Sequence, residues 1–133
     1  MESKQINLVL NGRKFLFNLN SQEEVNKRIN LGMAFSGINS GEERKGILEA
    51  KTLDGKEFED WKQVGTFSEE YFDYVRDDMG EHNLYLNLRN VRINVKQFCF
   101  YDGSGKEEVV IQKREHWYNR WKTEPVKEFS MTG

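Results

Sequence analysis

The sequence has a single cysteine, a single proline and no long apolar run, and each scarcity excludes a class of protein. Cys99 cannot form an internal disulfide, which excludes a disulfide-stapled secreted scaffold and favours a reducing, cytoplasmic location. No stretch approaches the roughly 20 apolar residues of a transmembrane helix. Residues 1–5 (MESKQ) are too polar for a signal peptide. We therefore expect no membrane partner.

Motifs for catalysis, cofactors and metals are also missing. The glycines between positions 32 and 46 lack the Gly-Lys-Ser/Thr end of a phosphate-binding loop and the spacing of a dinucleotide site. The only soft metal ligands are His82, His116 and Cys99, which have no paired spacing and are too few for a structural zinc site. No acid stands alone in an apolar run that would raise its pKa. We expect no catalytic residues, no cofactor, no metal and no enzymatic activity.

What the sequence does have is a set of hairpin signals. Large apolar residues recur at every second position on either side of Asn11-Gly12, as Ile6, Leu8 and Leu10 before it and Phe15, Phe17 and Leu19 after it. The Asn-Gly pair tolerates the positive φ angles of a type I′ turn. Hairpins place their strands side by side and antiparallel. Further turn signals stand at Asp54-Gly55, at 89–90 within the apolar alternation of 84–95, and at 102–105.

Two segments carry helix signals. Ser21 and Glu24 form a capping box that predicts a helix over 22–31, and Ser68 followed by two glutamates predicts a second helix over 68–80. The fold class predicted is therefore α+β. We expect one globular domain over residues 1–133, with an antiparallel hairpin-rich sheet or small β-barrel and two or three short helices. The tail, about 123–133, is expected to be loosely held.

The apolar pattern also predicts the core. The alternation slips after Val95, and a β-bulge near 96–97 would return Phe98 to the core face. The predicted core residues are Leu8, Leu10, Phe15 or Phe17, Val25, Ile29, Leu48, Phe72, Val75, Leu86, Ile93, Val95, Phe98 and Val109 or Val110.

Charge is unevenly distributed along the chain, and this separation carries our leading functional hypothesis. Residues 82–122 hold eight basic against four acidic residues, although the whole chain has a net charge of −2. Guanidinium, amide and aromatic groups interleaved in this way suit phosphate contact and base stacking. We expect a non-catalytic regulatory protein that binds RNA or another single strand. The alternative is a solvated sheet face with both tryptophans in the core. The candidate residues are Tyr85, Arg89, Arg92, Lys96, Arg114, Trp117, Tyr118 and Arg120.

An acidic, aromatic segment at 57–78 supports a second hypothesis, in which the partner is a protein. Exposed acids beside aromatic rings can mimic a nucleic-acid backbone or cap a basic active site, as inhibitor and immunity proteins do. The alternative without a binding role is an amphipathic helix whose outer face is solvated. The size, polarity and hairpins suit a small accessory protein of bacteria or mobile elements, and the sequence carries no signal for an oligomeric state. The candidate residues are Glu69, Glu70, Asp73, Asp77 and Asp78.

Overall fold

The computed structural model describes residues 3–28, 38–74, 79–100 and 102–133. Within these ranges the regular secondary structure consists of β-strands alone. The strands are β1 Ser3–Leu10, β2 Arg13–Arg28, β3 Ile38–Leu53, β4 Lys56–Tyr74, β5 Met79–Leu88, β6 Val91–Phe100, β7 Gly105–Lys113, β8 Lys122–Glu124 and β9 Phe129–Thr132. They form one antiparallel sheet in the order β8-β7-β6-β5-β4-β3-β2-β1-β9. The first eight strands therefore follow one another in space, and β9 returns to the free edge of β1.

The hairpin turns have the conformation that the sequence predicts. Asn11 and Gly12 have φ angles of 51° and 79°, and Asp54 and Gly55 have φ angles of 53° and 84°. Positive φ at both central residues is the requirement of a type I′ turn. The turns at 89–90 and 102–105 likewise join neighbouring antiparallel strands. The predicted antiparallel hairpins are confirmed.

The sheet curls so that one face encloses the core. Arg13 on β2 and Glu124 on β8 are six strands apart in the ladder, about 28 Å along a flat sheet. Their side chains nevertheless approach to 3.0 Å. Because the described residues form no second layer, this curl is what buries the inner face. The buried apolar side chains are Ile6, Leu8, Leu10, Phe15, Phe17, Leu19, Leu48, Ala50, Phe67, Leu84, Leu86, Ile93, Val95 and Ile111.

Four residues, 125–128, connect β8 to β9 and hold one end of the curled sheet together. Asn11 supplies the anchor, because its side-chain Nδ2 donates to the carbonyl of Pro125 at 3.0 Å. Its Oδ1 accepts from the backbone N–H of Lys127 at 2.7 Å and of Glu128 at 3.2 Å. We call this end, with the turns at 11–12, 54–55 and 89–90, the closed end. The tail thus contributes two strands to the sheet.

The α+β prediction is wrong, because the described residues contain nine strands and no helix. Residues 22–28 of the first predicted helix continue β2, in which 23–28 pair with β3, and 29–31 lie outside the described residues. In the second predicted helix, 68–74 belong to β4 and 79–80 to β5, whereas 75–78 lie outside them. Capping signals are local preferences, and pairing with neighbouring strands overrides them here. No described segment forms a helix long and apolar enough to cross a membrane.

The core prediction is correct for eight of the named residues and wrong for Phe72 and Phe98. For Phe98 the error came from the β-bulge that was assumed near 96–97. Strand β6 keeps one register against β5 and β7, so Gln97 faces inward and Phe98 outward. Phe72 and Phe98 are only half-buried, and Val110 is 43% exposed. Ile29 and Val75 lie outside the described residues, as does the side chain of Val25. The predicted residues that are buried are Leu8, Leu10, Phe15, Phe17, Leu48, Leu86, Ile93 and Val95.

Candidate functional site

The connection between β7 and β8, residues 114–121, forms an aromatic loop at the closed end. The backbone N–H of Arg114 donates to the carbonyl of Asn90 at 3.0 Å, which joins this loop to the β5–β6 turn. The guanidinium of Arg114 donates to the carbonyls of Arg89 at 3.0 Å and of Trp117 at 2.9 Å. A single arginine therefore fixes both the shape of the aromatic loop and its position on the sheet.

Two large aromatic side chains of this loop face solvent. Trp117 is 71% exposed and Tyr118 is 66% exposed, whereas large aromatic residues are usually well buried. The backbone N–H of His116 donates to Asn119 Oδ1 at 2.9 Å, which holds the turn. The His116 ring stacks on Tyr118 with centroids 5.2 Å apart, and Trp117 meets Tyr118 edge-on at 5.6 Å. The rings are ordered by one another and remain accessible to a flat ligand.

Trp121, at the end of the aromatic loop, packs against two arginines. The guanidinium carbons of Arg92 and Arg114 each lie 4.3 Å from the centroid of the Trp121 ring. Cation–π contacts of this kind contribute about 0.5–2 kcal/mol each. Arg92 Nε also donates to Gln112 Oε1 at 2.5 Å. These contacts tie the aromatic loop to the outer face of β6 and β7.

The arginines around this loop have no carboxylate partner in the part of the chain that the structure describes. By contrast, Lys113, the last residue of β7, is paired with Glu124 at 3.2 Å. Arg89 and Arg120 are exposed and make no hydrogen bond within the described residues, so their guanidinium groups are available to phosphate, which guanidinium binds through two parallel hydrogen bonds. We define the basic aromatic surface as Arg89, Arg92, Arg114, Trp117, Tyr118, Arg120 and Trp121.

A shallow groove of about 380 Å³ adjoins this surface on the outer face of β5, β6 and β7. Burial raises the pKa of Tyr85, and the charges of Glu70 and Glu81 raise it further. The phenol therefore keeps its proton at neutral pH and can donate a hydrogen bond. The side chains of the groove are Tyr85, Asn87, Arg92, Asn94, Val110 and Gln112.

A second polar cluster lies inside the curled sheet. Glu69, whose side chain is 1% exposed, lies 2.8 Å from His82 Nε2 and 3.3 Å from the guanidinium of Arg44. His82 Nδ1 in turn lies 2.8 Å from Gln97 Oε1, whose amide nitrogen donates to Glu107 at 3.1 Å. Both ring nitrogens thus lie within hydrogen-bond distance of a side-chain oxygen. We call these residues the interior network.

A cavity of about 670 Å³ adjoins the outer part of this network at the end opposite the closed end. Burial raises the pKa of Glu69, but the hydrogen bond to His82 and the charge of Lys4 outweigh it, so the pKa lies below its ordinary value. Tyr71 stacks on the His82 ring with centroids 4.3 Å apart. Both nitrogens of His82 are engaged, so neither is directed at the cavity. Among the described residues, no three His, Cys, Asp or Glu side chains could together hold a metal ion.

The structure brings most of the residues predicted to bind nucleic acid together and places Lys96 apart from them. Tyr85 and Arg92 line the groove, and five further residues form the surface beside it. Lys96 lies four residues from Arg92 along β6, about 13 Å away, and its cross-strand partner on β7 is the acid Glu108. Trp117 lies outside the core, contrary to the alternative of a solvated face with buried tryptophans.

Sequence reasoning missed the interior network, although a signal for it existed. Glu69 follows Phe67 by two residues on β4, and Gln97 follows Val95 by two on β6, so each continues an inward-facing alternation. A polar residue in the inward phase of a strand marks a buried polar contact. Gln112 was also missed, and its position opposite Arg92 in the β6–β7 register is the signal that could have found it.

The acidic candidates do not share one face. Glu69 is buried, Glu70 is half-buried on the opposite side of β4, and Asp73 lines the large cavity. Asp77 and Asp78 lie outside the described residues. An inhibitor surface built from all five acids is therefore not assembled by the described part of the chain.

Comparison with protein families, curated proteins and solved structures found no match to this chain.

Proposed function

We propose that this protein binds single-stranded nucleic acid, RNA foremost, through the basic aromatic surface. The observation that carries the proposal is the exposure of Trp117 and Tyr118 beside arginines that have no carboxylate partner. Exposed aromatic rings stack on bases whatever the sequence, and each stacked base contributes about 1–3 kcal/mol to binding. Duplexes hide the faces of their bases inside the stack, so this chemistry favours a single strand.

The overall acidity of the chain does not oppose this proposal. A net charge of −2 gives no general attraction to phosphate, so binding depends on a locally positive region. The four arginines of the surface provide that region, with Glu115 as the acid within the aromatic loop. At physiological salt, charges beyond roughly 8 Å are largely screened, so the distant acids weaken binding little.

The proposed role is regulatory and non-catalytic, in the cytoplasm. The exposed, unpaired thiol of Cys99 fits a reducing compartment. The protein-inhibitor alternative has less support, because its candidate acids are divided between two faces of β4.

The test is fluorescence anisotropy with labelled RNA, single-stranded DNA and duplex DNA of about ten nucleotides, within the ~4–16 that one such site spans. Contact with about four phosphates predicts a log–log salt slope near −3 for a single strand, from roughly −0.7 per phosphate. Raising salt from roughly 50 to 200 mM should then weaken binding about 60-fold. Duplex DNA should bind more weakly than either single strand. Failure to bind any single strand at micromolar protein in low salt would refute the proposal.

Arginine variants test whether the strand binds at the basic aromatic surface. Arg89 and Arg120 are exposed, and their side chains make no hydrogen bond within the described residues, so alanine at either position should leave folding intact. Each substitution should flatten the salt slope by about 0.7. Lys106→Ala is the charge-matched control, since Lys106 lies seven residues from Lys113 along β7, about 23 Å away. A control that lowered the slope as much as Arg120→Ala would place the contact elsewhere.

A further inference from the structure

The groove beside the basic aromatic surface has hydrogen-bonding groups that the fold leaves unused. Within the described ranges, the side-chain amide of Asn87 is exposed and makes no hydrogen bond. Asn94 Nδ2 donates to the carbonyl of Leu84 at 3.3 Å, which leaves Asn94 Oδ1 as a free acceptor. Asn87 and Asn94 are diagonal neighbours across β5 and β6, because Asn87 lies opposite Arg92. Two amide oxygens thus face the groove from adjacent strands.

The other polar groups of the groove include the amide of Gln112 and the hydroxyl of Tyr85. Gln112 accepts from Arg92 and donates to Thr123 Oγ1, so both ends of its amide are engaged. The raised pKa of Tyr85 keeps its hydroxyl protonated, so that it can donate as well as accept a hydrogen bond at the groove wall. Val110, 43% exposed, adds an apolar contact at the floor. The free amide oxygens of the groove therefore belong to the two asparagines.

We infer that this groove receives one base of the bound strand and prefers a base with an exocyclic amino group over uracil. An amino group has two N–H donors and can satisfy both amide oxygens, while the Asn87 amide nitrogen donates to the neighbouring ring nitrogen of adenine or cytosine. Uracil offers one N–H between two carbonyls and leaves one asparagine oxygen unpaired. A volume near 380 Å³ lies in the range of small-ligand sites. The inference rests on the proposed function, because Arg92 belongs to both the groove and the surface.

The experiment compares labelled runs of adenine, cytosine and uracil, each of about ten nucleotides, by anisotropy at one salt concentration. The unmodified protein should bind the adenine and cytosine runs at least about fivefold more tightly than the uracil run, the lower limit for a well-formed amide–base pair. Asn87→Ala should reduce this preference to under about twofold and leave the salt slope unchanged, because Asn87 contacts no phosphate. Asn7→Ala, at an exposed asparagine on β1, is the matched control and should keep the preference.

The outcomes separate the two claims. Failure of every run to bind would refute the proposed function itself. Equal binding of all three runs by the unmodified protein would overturn the base preference alone. A preference that survived in Asn87→Ala would also overturn the inference, since adenine runs that simply stack better do not depend on this amide.

Discussion

Replacing Glu69 with glutamine removes the buried negative charge of the interior network and leaves that of Glu107, at its exposed edge. The Glu69 carboxylate contacts Lys4 at 3.6 Å, Arg44 at 3.3 Å and His82 at 2.8 Å. Glutamine keeps nearly the same volume, so the variant changes charge and hydrogen bonding and leaves packing intact. Any loss of stability then measures the ionic cluster.

The magnitude follows from the burial of the partners. The side chains of Arg44 and His82 are only 14% and 16% exposed, so water replaces little of what the carboxylate provides. Breaking a buried ion pair by removing one partner costs about 3–5 kcal/mol. We expect Glu69→Gln to lower the free energy of unfolding by about 3 kcal/mol, or roughly 10 °C in Tm for a chain of this size.

The same residue should set part of the acid stability. The pKa of Glu69 in the folded protein lies below its ordinary value of 4.5. Stability from a carboxylate of this kind is fully present above the ordinary value and is lost as pH falls through the lower, folded value. Below about pH 4.5 the unmodified protein should therefore lose stability more steeply than Glu69→Gln, and the two should converge.

Urea unfolding followed by tryptophan fluorescence measures both effects, at neutral pH and along a series down to acid pH. Glu108→Gln is the control, because Glu108 pairs with Lys106 at 3.0 Å on an exposed strand, where such pairs contribute about 0–1 kcal/mol. If Glu69→Gln were as stable as Glu108→Gln, or kept the full acid sensitivity of the unmodified protein, the account of the interior network would be refuted.

Two further predictions concern the sheet. Gly65→Ala should cost more than about 2 kcal/mol in urea unfolding, because a Cβ at this position would lie 1.9 Å from the backbone oxygen of Asn87 and force β4 from β5. Gly80→Ala, where the nearest atoms are 3.8 Å away, should be near neutral, and equal costs would refute the contact. Asn11→Gly keeps the turn but removes the side-chain hydrogen bonds to 125–128, so the amides of β9 should exchange hydrogen faster than in the unmodified protein, whereas those of β5 should not change. Unchanged protection of β9 would contradict this anchor.

The parts of the fold that the sequence predicts correctly are those decided by a few neighbouring residues. Asn11-Gly12 and Asp54-Gly55 dictate their turns because only such pairs accept two positive φ angles in succession. The helix over 22–31 failed for the opposite reason. Its capping box is equally local, but the backbone of 23–28 pairs with β3, a contact with residues distant in sequence.

The interior network shows a second limit. The predicted bulge at 96–97 assumed that every phenylalanine of β6 faces the core. Strand β6 instead keeps its phase and turns Gln97 inward, because His82 and Glu107 on the two neighbouring strands satisfy both ends of its amide. Such partners become visible only when the strand order is known. The basic aromatic surface was predictable to a greater extent, since most of its residues lie within the short stretch 114–121.

Nuclear magnetic resonance of the tryptophan indole N–H groups tests the central claim most directly. The chain has three tryptophans, of which Trp117 and Trp121 belong to the basic aromatic surface and Trp61 lies on β4. On titration with a single-stranded RNA of about ten nucleotides, the Trp117 and Trp121 signals should move and the Trp61 signal should stay in place. A titration that moved no indole signal, or moved Trp61 alone, would contradict nucleic-acid binding by this surface.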